Sequence, residues 1–169
     1  MNDFGSPGVR CLMDQMPSTV RGTHVRSGQV TVTVAAEDIV SALRLLRDGS
    51  DPCFDLLVDL CAVDCLGRTP RFEVVYHLYS LAGNQRLRVR AMILDDPPQL
   101  DSSVEVFPAA NWLEREAWDL YGIRFRNHPD PTRLLLGEDF EGHPLRRDHT
   151  IAGSRIGTES STAREGGDE

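Results

Sequence analysis

Residues 29–35 read QVTVTVA, an alternation of β-branched and polar positions that predicts a half-buried strand. The period then changes. Over residues 37–48, Ile39, Leu43 and Leu46 recur on one helical face, and Gly49 stands where a helix would stop. Residues 54–64 (FDLLVDLCAVD) read as a buried strand with polar interruptions, followed by turn chemistry at 67–70. Residues 71–81 alternate again, with Phe72, Val74, Tyr76 and Leu78 on one face. A turn at Ala82-Gly83-Asn84 leads into a further strand over 86–94. Three strands joined by short turns predict an antiparallel meander. With the first strand and its helix, the pattern is that of an α+β fold: a small, mostly antiparallel sheet with helices on one face.

Beyond Pro97-Pro98 the character changes. Ser102 and Glu105 have capping-box spacing and predict a short helix ending near Pro108. Residues 109–121 form the strongest helical pattern in the chain, with Leu113, Ala117, Leu120 and Tyr121 on one face and Gly122 at the C-cap position. Neither period persists from 123 to 150. The resulting division is a flexible N-terminal arm (1–27), an α+β domain (28–122), an extended partner-binding segment (123–150) and a disordered acidic tail (151–169).

Composition narrows the function classes. Net charge is −8 and the pI is near 5.1, which argues against a nucleic-acid binder and against direct adhesion to anionic lipid. No apolar run approaches the roughly 18 residues a membrane helix needs, so a membrane is reached only through a partner. All 18 basic residues are arginine, the side chain best suited to bidentate ion pairs. No secretory leader is legible in the first residues, so the four cysteines read as reduced thiols in a cytoplasmic protein.

The residues that could carry chemistry fall short of a site. Cys53, Cys61 and Cys65 offer three thiols, but iron–sulfur and zinc runs use tighter spacing and four ligands. His128, His143 and His149, beside Asp130, Glu138 and Asp139, match no ligand spacing. Glu114, Glu116 and Asp119 read as a charged helix face on which Arg115 and Asp119 can pair one turn apart. Glycine loops for phosphate and a nucleophile elbow are absent. The expectation is no catalytic residue, no metal ligand and no cofactor in this chain.

Beyond the helix, residues 123–148 hold three prolines, five arginines, two histidines and short apolar clusters. Such a ribbon suits wrapping a partner. Three prolines bar a continuous helix or central strand, and fixing each residue costs about 1–2 kcal/mol of backbone entropy. The segment is therefore expected to be mobile alone and ordered on a partner, with Arg133, Arg146 and Arg147 pairing to it. Glu114 and Arg115 are expected to find their partners outside the domain.

The stretch Glu114-Arg115-Glu116-x-x-Asp119-Leu120-Tyr121-Gly122-Ile123 is the core of a longer block. It continues as His128-Pro129-Asp130, Arg133-Leu134-Leu135 and Phe140-Glu141-Gly142-His143-Pro144-Leu145-Arg146-Arg147-Asp148. This block closely resembles the signature of the 30-kilodalton-type subunit of proton-translocating NADH:quinone oxidoreductase (respiratory complex I). Residues 59–64 and 71–78 agree, and the resemblance covers about 30–148. It implies a subunit without redox groups in the hydrophilic arm, bound to quinone-binding and iron–sulfur subunits at the cytoplasmic face of a bacterial membrane. FMN and iron–sulfur clusters would lie in those partners. The resemblance makes Glu114, Arg115, Glu116, Asp119, His128, Asp130, Arg133, His143, Pro144, Arg146, Arg147 and Asp148 the expected partner interface. Arg147 stands where the family often has lysine. Many members also continue into a proline-containing arm where this chain has His149 to Gly153 and a short acidic tail. Two alternatives stay open: the equivalent subunit of a complex-I-like [NiFe]-hydrogenase or other non-NADH dehydrogenase, and a stand-alone metal enzyme using His128, His143 and His149.

Overall fold

A computed structural model describes residues 6–94 and 96–149; the expected acidic tail lies outside the described residues. Helix α1 (Pro7–Gln15) leads into strand β1 (Val20–Arg26) and strand β2 (Gln29–Val34). A 3-10 turn at Ala36–Asp38 opens helix α2 (Ile39–Asp48). Strands β3 (Leu56–Asp64), β4 (Phe72–Ser80) and β5 (Gln85–Ile93) follow as the expected meander. Strand β6 (Gln99–Asp101), helix α3 (Ala110–Tyr121) and strand β7 (Arg124–Arg126) complete the elements.

The main sheet has the order β1-β2-β5-β4-β3. Helix α2 carries the chain to the far edge, so the returning meander lays β5 parallel to β2 while the other pairs are antiparallel. One face of the sheet gives the core: Val32, Val34, Val74, Tyr76, Leu78, Leu87, Val89 and Ala91 meet Ile39, Leu43 and Leu46 of α2. Near period-2 burial on β4 and β5 and period-3.6 burial on α2 agree with the pattern read above, whereas β2, expected to be half-buried, buries Thr31 and Thr33 as well as Val32 and Val34.

Three expectations are corrected. Residues 6–26 are not a loose arm. Pro7 starts α1 at the position where a missing N–H costs nothing, and Val9 and Leu12 are fully buried. A Cβ on Gly8 would stand 2.6 Å from the Phe54 ring, so glycine lets α1 approach the core. The β1–β2 turn is a two-residue Ser27-Gly28 turn with φ of +50° and +75°, the primed type that matches strand twist. Second, β3 is an edge strand, and a bulge between Leu57 and Asp59 breaks its alternation. Third, no helix opens at Ser102. Glu105 reaches Arg44 instead (3.5 Å), and Ser102 is spent elsewhere.

Candidate functional site

Strands β6 and β7 pair in parallel on either side of α3 in sequence. That pairing brings Ser102 and Ser103 onto the flank of the helix. Glu114 has no exposed surface and accepts hydrogen bonds of 2.7 Å each from Ser102 Oγ, Ser103 Oγ and the Ser103 N–H. Burial raises the Glu114 carboxyl above its ordinary value, and the three donors and His128 hold that rise in check. The partners of Glu114 are therefore inside the domain, contrary to expectation. His128 Nε2 donates to the Asn111 carbonyl (3.1 Å) while Nδ1 accepts the Asp130 N–H (3.0 Å), a pattern that satisfies the neutral ring.

Arg115 also turns inward, onto the ribbon. Its guanidinium donates to the Thr132 carbonyl, the Thr132 hydroxyl and the Arg133 carbonyl at 2.8–3.1 Å, and pairs with Asp130 at 3.2 Å. It does not pair with Asp119, because that carboxylate is already filled. Asp119 Oδ2 accepts the N–H groups of Leu134, Leu135 and Leu136 (3.1, 2.9 and 2.9 Å), and Oδ1 takes Arg133 Nη1 at 2.7 Å. Three successive N–H groups on one oxygen form an anion-binding nest built by the chain for its own carboxylate. Burial alone would raise the Asp119 carboxyl, but these donors outweigh it and hold the group below its ordinary value.

The end of α3 explains much of the remaining block. A helix leaves its last four carbonyls without intrahelical donors. Here the Trp118 carbonyl receives the Gly122 N–H (2.7 Å), Asp119 the His143 ring Nδ1 (2.8 Å), Leu120 the Leu145 N–H (3.1 Å) and Tyr121 the Arg146 Nε (2.6 Å). His143 through Arg146 is thus a helix cap supplied from over twenty residues away, with Pro144 setting its bend. Arginine at this end also suits the negative pole of the helix dipole. Gly122 sits at φ +72° and a Cβ there would meet the His143 ring and Arg146 Nη2 at 2.5–2.6 Å. Only glycine fits beneath the cap.

A second clasp closes the ribbon onto the β3–β4 hairpin. Arg71 binds Asp64 in bidentate fashion (2.9 and 2.8 Å) and Asp148 likewise (2.9 and 2.7 Å), while Asp64 also accepts the Arg147 N–H at 2.9 Å. Hydrogen bonding to Arg71 lowers Asp64 and takes Asp148 down to about 2. Arg71 and Arg146 both stack on the Phe72 ring, 4.8 and 5.2 Å from its centre. Nothing in the sequence periodicity announces Ser102, Ser103 or the Arg71–Asp148 link across 77 residues. The one hint is that residues 59–64 and 71–78 carry the same resemblance as the ribbon.

The ribbon over 123–149 is thus sewn to α3 and to the hairpin by its own side chains, where independence from the domain was expected. Glu116 and the Arg147 side chain remain exposed and without a partner among the described residues. Outside the clasps, Trp112 and Leu135 are 60% exposed and Leu145 49%. Beside the helix, Gln99, Trp118, Arg124, Phe125 and Arg126 line an open cavity of about 450 Å³ floored by Glu114 and His128. Among the described residues, His128, His143 and His149 do not join carboxylates in a ligand set.

Residues 32–155 match the family described as "Respiratory-chain NADH dehydrogenase, 30 Kd subunit". The chain belongs to that family. A similar relative is the C subunit of NADH-quinone oxidoreductase from Acidithiobacillus ferrooxidans, 49% identical over 149 residues covering 85% of this chain and 74% of that protein. Its counterpart from Paramagnetospirillum magneticum is 46% identical over 139 residues, 82% of this chain and 69% of that one. Among solved structures, the trypsin-resistant fragment (1–134) of Nqo5 superposes with a TM-score of 0.60 at 28% identity, covering 74% of this chain and 99% of the fragment. A membrane-bound sulfane sulfur reductase, an archaeal respiratory membrane complex, holds a chain alike in fold, with a TM-score of 0.72 at 23% identity over 85% of this chain and 84% of that one. The 30-kilodalton family thus supplies the fold, and the clasps above are built from the residues of its block.

Proposed function

We propose that this chain serves as the 30-kilodalton-type subunit of an NADH–quinone oxidoreductase and that its own task is assembly. It is one member of a hetero-oligomer that moves electrons from NADH through FMN and iron–sulfur clusters to quinone, coupled to proton translocation. In this reading the chain holds none of those groups. It docks the quinone-binding and iron–sulfur subunits of the hydrophilic arm and lies peripherally on the cytoplasmic face, reaching the membrane through them. No helix among the described residues is long and apolar enough to cross a membrane, which is consistent with that placement.

The observation that carries the assembly role is the division of labour along the ribbon. Its Arg133, His143, Arg146 and Asp148 side chains are held by internal clasps, while its apolar residues Leu135, Phe140 and Leu145 are exposed. Exposed apolar side chains grouped along one segment mark a candidate interaction surface. A stiffened ribbon that presents separated apolar anchors lowers the ordering cost a partner must meet. The exposed Glu116 and Arg147 side chains and Arg124 beside the cavity add charged contacts to that surface. The test is the triple variant Leu135→Ser, Phe140→Ser, Leu145→Ser. We expect an unchanged fold and melting temperature for the isolated chain, with loss of the subunit from the complex on native gels and loss of NADH–quinone activity. Normal assembly of this variant would refute the docking role and leave the family membership standing.

A further inference from the structure

On the sheet face opposite the core, the register lines up chemistry that the assembly reading does not use. Asp59 of β3 is directly paired with His77 of β4. Cys61 lies two residues further along β3, on the same face by the period of a strand. The carboxylate, thiol and imidazole donor atoms all lie within 4.8 Å of one another. Asp59 and Cys61 are exposed and His77 is half-buried, and a cavity of about 180 Å³ opens beside the Asp59–His77 rung.

We propose that Asp59, Cys61 and His77 bind a divalent transition metal of the zinc type. Zinc takes thiolate sulfur at about 2.3 Å and imidazole nitrogen or carboxylate oxygen at about 2.0–2.2 Å, so tetrahedral donors stand about 3.5 Å apart. The donor atoms already lie within 4.8 Å of one another, and side-chain rotation on an open face can supply the remaining approach. The backbone is already in place, because two adjacent strands fix all three Cα positions. One soft, one intermediate and one hard donor suit zinc or its neighbours and disfavour magnesium and calcium. Three protein ligands leave the fourth tetrahedral position to water or to a donor from outside the chain.

Arg86 and Arg88 also line the cavity beside the Asp59–His77 rung, and Arg88, the neighbour of His77 on β5, has its Nη2 bound to Gln29 Oε1 at 2.6 Å. Metal binding takes Cys61 as the thiolate, so the thiol proton leaves to solvent. The site stands apart from the ribbon and does not depend on the assembly role.

The test uses the full chain under reducing conditions and Co²⁺ as a spectroscopic stand-in for Zn²⁺. We expect one equivalent of Co²⁺ to produce a sulfur-to-cobalt charge-transfer band, displaced by Zn²⁺ and not by Mg²⁺. Cys61→Ser should abolish the band and His77→Ala or Asp59→Ala should weaken binding by about 100-fold or more, as removal of a ligand exceeds the 10–100-fold cost of disturbing its support. Cys53→Ser should leave the band intact. A second readout needs no variant: Zn²⁺ should slow alkylation of Cys61 while Cys53, also exposed, reacts at its former rate. A band that survives Cys61→Ser, binding of Mg²⁺ as tight as that of Zn²⁺, or equal alkylation of Cys61 with and without Zn²⁺ would each overturn the site.

Discussion

At the scale of single residues, Asp119 offers the sharpest test of the clasps. Its carboxylate satisfies three backbone donors and one guanidinium without any contact with water. Asp119→Ala leaves those N–H groups and Arg133 uncompensated, and removing one partner of a buried pair costs about 3–5 kcal/mol. Asp119→Asn keeps the shape but loses the charge-assisted part of the bonds, about 1.5–3 kcal/mol. Urea denaturation should rank wild type above Asn above Ala, and equal midpoints would show that the nest contributes nothing to the isolated chain. The sequence revealed that Glu114, Arg115 and Asp119 matter together, through the block they belong to. It did not reveal what each binds. Helical spacing suggested an Arg115–Asp119 pair, yet Arg115 faces Thr132 and Asp130, and Asp119 faces Arg133. Periodicity reports only which face of a helix is apolar, and a carboxylate buried with its own donors looks the same in sequence as one in water.

At the scale of elements, strand and helix patterns were legible wherever one face met the core and the other met solvent. That holds for α2, β4 and β5. Strand β2 buries Thr31 and Thr33 along with its valines, and α3 buries Glu114 and Asp119 with Ala110 and Ala117 while Leu113, Leu120 and Tyr121 stay half-buried. The pattern failed for α1, whose start is rich in glycine and proline, and for β1, an edge strand with mostly exposed side chains. The elements are then joined by charged clasps, which predicts a pH dependence. Asp119, Asp64 and Asp148 titrate lower in the folded chain than the value of about 3.9 expected when unfolded. Their contribution is therefore complete above that unfolded value and is lost as pH falls through the folded ones, toward about 2 for Asp148. Glu114 is raised and acts in the opposite sense: its contribution is present below its unfolded value and is lost as pH rises through the folded one. Unfolding free energies measured from neutral pH down to about 2 should fall on the acid side in wild type. Arg71→Ala should flatten that fall by removing the cause of two depressed carboxyls. Glu114→Gln should steepen it, because the opposing group is gone.

At the scale of the whole molecule, the question is whether the ribbon needs its partners in order to have a shape. Three prolines and broken apolar clusters suggest that local contacts cannot offset the entropy of ordering about 27 residues at about 1–2 kcal/mol each. Apolar burial within the segment is only part of the balance. The domain offers more from elsewhere: three helix-end carbonyls, a buried carboxylate with free lone pairs, and Arg71 across the hairpin. Each such bond is worth about 1 kcal/mol net, and those to charged groups more, so together they offset a share of the cost that the sequence alone could not display. Protection should then be uneven. In hydrogen exchange on the isolated chain, the amides of Leu134, Leu135 and Leu136, bound to Asp119, should be protected, as should Leu145 and Arg147. Within the exposed stretch from Gly137 to Glu141, the amides other than Phe140 should exchange much faster, since Phe140 alone donates to a carbonyl there (Gly137, 3.1 Å) among the described residues. In the assembled complex that stretch should slow as partner surface covers Phe140, while the clasped amides change little. Fast exchange at Leu134 to Leu136 in the isolated chain would mean that the clasps close only on a partner. Slow exchange throughout in both samples would mean instead that the ribbon needs no partner, and the assembly role would lose its physical basis.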